Sequence, residues 1–331
     1  MTIDTAPPAS LSPSPVTPSA EALEQEHPEL SRPESRKPRP KGARPPLVLT
    51  PGEYAVRGIV GIAGALLLTF AFNLLLVSHL QYFANQQQLR DAFQSQLADG
   101  VAPVSEGDAD DVLLPDGAPV ALLQIPSIGL ESVVVEGTSS ATTQQGPGHR
   151  RDTVLPGQAG TSVIMGRASA FGGPFSRIAE LQPRDTFTVI TGQGEQTFAV
   201  IGTRYQKDQE LPQLLPGESR LILETSRGPL PYTPSGMVRV DARLVSEVKD
   251  PGLRQTAPNM LPLSHREMAT DTGTVWALVF GLQALIALEL GLMWAVRRLG
   301  KRQIWAVFLP VALLVSLIVS DQLVRLLPNL L

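Results

Sequence analysis

Residues 120–136 read VALLQIPSIGLESVVVE, two short apolar runs, Val120 to Ile125 and Ser132 to Glu136, on either side of a Pro and Gly break. Runs of this length bounded by turn residues read as strands. The same texture continues toward the C-terminus. Further strands are expected over Ser162 to Met165, Thr186 to Thr191, Gln196 to Tyr205, Arg220 to Thr225 and Met237 to Val245. Several alternate apolar with polar, as in Thr197, Phe198, Ala199, Val200, Ile201 and in Val238, Arg239, Val240, Asp241, Ala242, Arg243, Leu244. Seven or eight short strands in about 130 residues, with turns between them, predict a mainly β fold, a single closed β-barrel over residues 118–246. No internal repeat is visible.

Outward from the barrel the character of the chain changes. Residues 1–51 hold twelve of the thirty prolines and few apolar side chains, so the tail is expected to be disordered. An apolar run over residues 57–80 is long enough to cross a bilayer and lacks a small-residue cleavage site, which predicts an anchor and not a removed leader. Residues 81–117 read as a stalk or linker. From the end of the span, Leu80, Phe83, Arg90, Phe93 and Leu97 recur at roughly helical spacing, as in a helix leaving the membrane or packing on the next domain. After a linker over residues 247–272, two more apolar spans cover residues 274–296 and 304–327.

Charge orients the spans. Arg32, Arg36, Lys37, Arg39, Lys41 and Arg44 precede the first span, and Arg297, Arg298, Lys301 and Arg302 separate the last two. Basic residues mark the inner side, so the expected topology has a cytoplasmic N-terminus and an extracytoplasmic barrel at the plasma membrane. Glu289 lies inside the second span, and Asp321 and Arg325 lie toward the end of the third, where an ionised group needs a partner.

Composition excludes several chemistries. The 331 residues carry a net charge of -4, which argues against a nucleic-acid partner. They contain no cysteine, which excludes disulfides, thiolate metal sites and a cysteine nucleophile. No pattern calls for a metal or a cofactor.

An ordered set of motifs resembles a known family. Ile125-Pro126-Ser127-Ile128-Gly129-Leu130, Val133-Val134-Val135-Glu136-Gly137, Gly146-Pro147-Gly148-His149 and Leu155-Pro156-Gly157 come first. Val163-Ile164-Met165-Gly166, Phe171-Gly172-Gly173-Pro174-Phe175, Leu221-Ile222-Leu223-Glu224-Thr225-Ser226 and Ala242-Arg243-Leu244 follow. Together they are similar to the class D and class E sortases of Gram-positive bacteria, membrane-anchored cysteine transpeptidases that act on sorting signals of cell-surface proteins at the cell wall. The resemblance implies a thiolate nucleophile, a histidine for proton transfer and an arginine for the oxyanion.

This sequence departs from that pattern at all three positions. Arg167 stands where the family has its histidine, Ser226 where it has its cysteine, and Met237 where it has its arginine. A guanidinium does not cycle a proton near neutral pH, and a serine without a base is a poor nucleophile. Arg239, two residues along the same strand face, is a substitute donor if the register slips. His149 matches a position upstream of the family's histidine and reads as structural, or else as a relocated base for Ser226. Glu224 shares a strand face with Ser226 and is expected either to pair with Arg167 or to serve as a base.

The expected function is a catalytically degenerate pseudo-sortase that binds or scaffolds a surface protein with a sorting signal, an active sortase or another membrane subunit. The alternative is a transpeptidase or hydrolase using Ser226.

Overall fold

In the computed structural model the described residues are 51–108, 112–209, 211–252, 254–257, 260–299 and 301–331. The Pro-rich tail, Pro51 apart, lies outside them. Eight strands close into a barrel in the order β1 (Pro119–Ile125), β2 (Leu130–Glu136), β3 (Gly148–His149), β4 (Gly160–Met165), β7 (Ser219–Arg227), β8 (Gly236–Leu244), β6 (Gly194–Tyr205) and β5 (Thr186–Thr191). The β2–β3 and β4–β7 pairs are parallel and the others antiparallel. Seven strands match the sequence reading to within two residues at each end. β3, only two residues long, was not read as a strand, because no period can show in so short a segment.

Alternation sorts the side chains. Leu221 and Leu223 of β7 and Val238, Val240 and Ala242 of β8 enter the core with Leu123, Ile164, Phe175 and Phe198. Phe187 and Phe198 stack with ring centroids 5.7 Å apart. The period of 2 therefore sends Glu224, Ser226, Met237 and Arg239 to the outer face, where the strands form the floor of a cleft.

The first helical stretch runs as α1 (Pro51–Phe72), a π turn over Asn73–Val77, and α2 (Ser78–Ala98). α4 (Val275–Leu299) and α5 (Lys301–Arg325) follow the barrel, after the short α3 (Ser140–Thr143). Among the described residues, three helices are long and apolar enough to cross a membrane: Val56–Ala98, Val275–Ala295 and Ala306–Arg325. α1 and α5 join through polar contacts, with Ser320 Oγ donating to Thr69 Oγ1 at 2.9 Å. Small and hydroxyl side chains of this kind let apolar helices approach and hydrogen-bond. The Glu289 carboxylate lies against Gly58 of α1, where there is no Cβ to block it. Asp321 and Arg325 pair with one another at 2.7 Å, and Gln81 Nε2 donates to Asp321 at 3.4 Å.

α2 continues from the first span and packs on the barrel, but not by the face read from sequence. Leu80 and Phe83 are exposed, and of the expected set only Phe93 is buried. The packing face is Tyr82, Gln86, Leu89 and Phe93, spaced by 4, 3 and 4 as a helix requires. A glutamine carries it: Gln86 Nε2 donates to Val133 O at 3.1 Å and to Gln145 O at 2.8 Å, while its Oε1 accepts from Val133 N at 2.7 Å. The two-residue β3 leaves that edge of β2 unpaired at Val133, and the side-chain amide stands in for the missing strand.

The segment between β8 and α4 is tied to the barrel as well. His265 Nδ1 accepts from Thr138 N at 3.1 Å, so its proton sits on Nε2, which faces Asp116 at 3.3 Å. Arg151 Nη2 donates to the same carboxylate at 2.9 Å. The hydrogen bond from His265, with help from Arg151, holds the Asp116 carboxyl below the usual carboxylate range. A lowered carboxyl contributes stability that is present above its unfolded value of about 4 and is lost as the pH falls through the folded value. The Asp116→Asn chain is therefore expected to lose the part of the acid-unfolding slope that the wild type shows below about pH 4, a difference readable by fluorescence-monitored acid titration.

Candidate functional site

The cleft is built on β4, β7 and β8. Their pairing sets Glu224 opposite Met165 on one side and Arg239 on the other, with Ser226 opposite Met237. The β7–β8 register is unbroken from Arg220 to Arg227. The slip that would move Arg239 into the place of Met237 does not occur. Instead Arg239 donates from Nε to Glu224 and from Nη2 to Glu267, the latter at 2.9 Å. Two carboxylates sequester this guanidinium from Ser226.

Glu224 therefore pairs with Arg239, and the pairing with Arg167 expected from the sequence does not form. Burial, reinforced by the charge of Glu267, raises its carboxyl above the ordinary range, and Arg239 opposes the shift. Its side chain is engaged by Arg239 and makes no hydrogen bond to Ser226 among the described residues.

Arg167 lies two residues beyond the end of β4 and is fully buried. Its Nη1 donates to Pro328 O at 3.1 Å, and its Nη2 donates to Ser140 O at 2.9 Å and to Ser140 Oγ at 2.8 Å. Its guanidinium also lies 5.0 Å from the centroid of the Phe171 ring. Burial pulls the group down to about 9, so it keeps its charge at neutral pH. The cation sits just beyond the C-terminal end of α5, where unpaired carbonyls and the helix dipole favour positive charge. Ser140 Oγ approaches two of those carbonyls, Leu327 O at 2.7 Å and Arg325 O at 3.3 Å.

Ser226 is buried, and its hydroxyl donates to Leu330 O at 2.8 Å. That partner is a peptide carbonyl, which cannot accept a proton in a catalytic cycle. His149 lies elsewhere, with Nε2 donating to Val154 O and Nδ1 hydrogen-bonded to Glu136 Oε2, both at 2.9 Å. Both ring nitrogens are thus engaged inside the barrel wall. Met237 packs with Leu330, Val163, Met165, Ile222 and Met268 in an apolar cluster on the outer face.

The residues that the sequence reading missed are those that fill the cleft: Pro328, Asn329, Leu330 and Leu331, with Ser140 and Glu267 beside them. Leu330 is fully buried, and its carbonyl also accepts from Ala168 N at 3.0 Å. Leu331 O accepts from Ala170 N at 2.8 Å. The loop supplying these amides turns sharply, with Phe171, Gly172 and Gly173 all at positive φ of 49°, 77° and 49°. Non-glycine residues hold such a conformation only where the surroundings impose it. Nothing in residues 326–331 read alone signals this contact, since its partners lie far away in sequence.

Residues 123–245 match the sortase domain family. A sortase D from Bacillus subtilis (strain 168) is 30% identical over 111 residues, 33% of this chain and 54% of the relative. The chain thus spans about half the length of the curated relative it matches. Among solved structures, a Clostridium perfringens sortase D5 transpeptidase is similar at 17% identity with a TM-score of 0.39, over 50% of this chain and 98% of that one. Sortase E1 from Streptomyces coelicolor, crystallised with a tripeptide in its active site, is similar at 22% identity with a TM-score of 0.34, over 39% and 90%. The residues that match the sortase domain, 123–245, are those that build the eight-stranded barrel from β1 to β8.

Proposed function

We propose that this chain is a membrane-anchored pseudo-sortase, with its N-terminus in the cytoplasm and its barrel outside, that binds a surface protein, an active sortase or another membrane subunit without cleaving it. The observation that carries this reading is the fate of the three family positions. Arg167 and Ser226 donate to Pro328 O and Leu330 O, and Met237 packs on the apolar cluster that holds Leu330. Each side chain at those positions is spent on the chain's own residues.

The chemistry agrees. Attack on an acyl carbon needs a nucleophile deprotonated by an adjacent base, and a donor at the developing oxyanion. Ser226 has no such base among the described residues, since His149 is held by Glu136 and Glu224 by Arg239. The basic residues Arg297, Arg298, Lys301 and Arg302 between the last two spans and the long apolar helices support the membrane assignment. The test is a fluorophosphonate probe applied to the detergent-solubilised full chain. The expected outcome is no label at Ser226 by mass spectrometry; stoichiometric labelling at Ser226 would reinstate the serine-enzyme alternative.

A further inference from the structure

Beyond the end of α5 the chain makes a tight turn, with Leu331 N donating to Pro328 O at 3.1 Å. This four-residue turn is held at every position. Pro328 O takes Arg167, and Leu330 O takes Ser226 and Ala168 N. Asn329, fully buried, donates from Nδ2 to Thr138 O at 2.7 Å and Arg266 O at 2.8 Å, and from its backbone to Ala269 O at 2.9 Å. The Leu330 side chain enters the apolar cluster on the barrel face. Beyond Leu331 a cavity of about 300 Å³ continues past Ser226, Arg227 and Phe175. A receptor with a polar end, an amide reader and an apolar socket therefore surrounds a Pro-Asn-Leu-Leu turn.

Resting on the catalytically silent reading, we infer that the three altered positions form a peptide seat whose resident ligand is residues 328–331 of the same chain. The seat clasps the end of α5 to the barrel. An external peptide of the same chemistry, a proline-led turn with a leucine two residues on, enters only when the resident turn leaves. The alterations then have one joint explanation. A methionine supplies apolar surface to the cluster that Leu330 enters, a serine reads the Leu330 carbonyl, and a charged Arg167 reads the Pro328 carbonyl and, through Ser140 Oγ, the end of α5.

The absence of native cysteine allows a direct test in the full chain. Met165→Cys and Leu330→Cys are combined, a protease site is inserted between β8 and α4, and the protein is treated in nanodiscs with oxidant or a short bis-thiol reagent. The two fragments are expected to stay joined on a denaturing gel. In parallel, a labelled synthetic peptide of residues 325–331 is titrated onto the wild type and onto a chain in which residues 328–331 are replaced by Gly and Ser. An occupied seat lowers apparent affinity by the fraction of time it is open, so the replaced chain is expected to bind at least about tenfold more tightly. Ser226→Ala in that chain is expected to weaken the binding again. Fragments that separate in both treatments overturn the clasp, as does equal binding to the two chains. Cleavage of the bound peptide would overturn catalytic silence and leave the seat standing, so the two readings fail separately.

Discussion

Replacing His149 with leucine is expected to destabilise the barrel by about 2–4 kcal/mol, because it leaves two buried polar groups, the Glu136 carboxyl and the Val154 carbonyl, without their partner at roughly 1–3 kcal/mol each. Glu136 and His149 are almost wholly buried, and the Glu136 carboxyl loses the Nδ1 partner it holds at 2.9 Å. The other basic group nearby, Arg151 Nε, stays 3.8 Å away. Val154 O loses a donor in the same substitution. His149→Gln, which keeps one donor, is expected to lose less. Urea unfolding of the full chain, followed in detergent, measures both. A loss below about 1 kcal/mol for His149→Leu would contradict a structural role, since that is the scale of an ordinary exposed pair.

The second large effect concerns restoration of chemistry. Arg167→His, Ser226→Cys and Met237→Arg together return the three groups that the family uses. With residues 328–331 in place, the new thiol and imidazole still face Leu330 and Pro328, so turnover of a fluorogenic sorting-signal peptide should stay near background. With residues 328–331 also replaced by Gly and Ser, turnover should rise by about 10²-fold or more, the scale of a working acid–base pair. Equal turnover with and without the segment would show that it does not fill the cleft.

Much of this protein was legible in its sequence, and the reason is local. The strand period put Val238 and Val240 inside and Met237 and Arg239 outside, as found, because a buried face must repeat every second residue. The long apolar helices were equally plain. The stalk helix misled because its conspicuous residues, Leu80 and Phe83, stay exposed, while a polar Gln86 makes the contact with β2. Hydropathy does not rank a glutamine as a packing residue, and its role follows only from an unpaired strand edge.

The candidate site was legible in its identities but not in its pairings. Position by position, Arg167, Ser226 and Met237 could be placed against the family pattern. Their partners could not, because each depends on a chain segment over 90 residues away, as Ser226 with Leu330 shows at a separation of 104. Glu224 illustrates the same limit. A shared strand face allowed it either Arg167 or Ser226, and the cross-strand register gave it Arg239.

Catalytic silence is tested most directly by asking whether the full chain performs any acyl transfer. Purified protein is incubated with a fluorogenic sorting-signal peptide and an amine acceptor, and products are followed by mass spectrometry. No cleavage and no transfer product above the level of a Ser226→Ala control is the predicted result. Turnover that Ser226→Ala abolishes would contradict it.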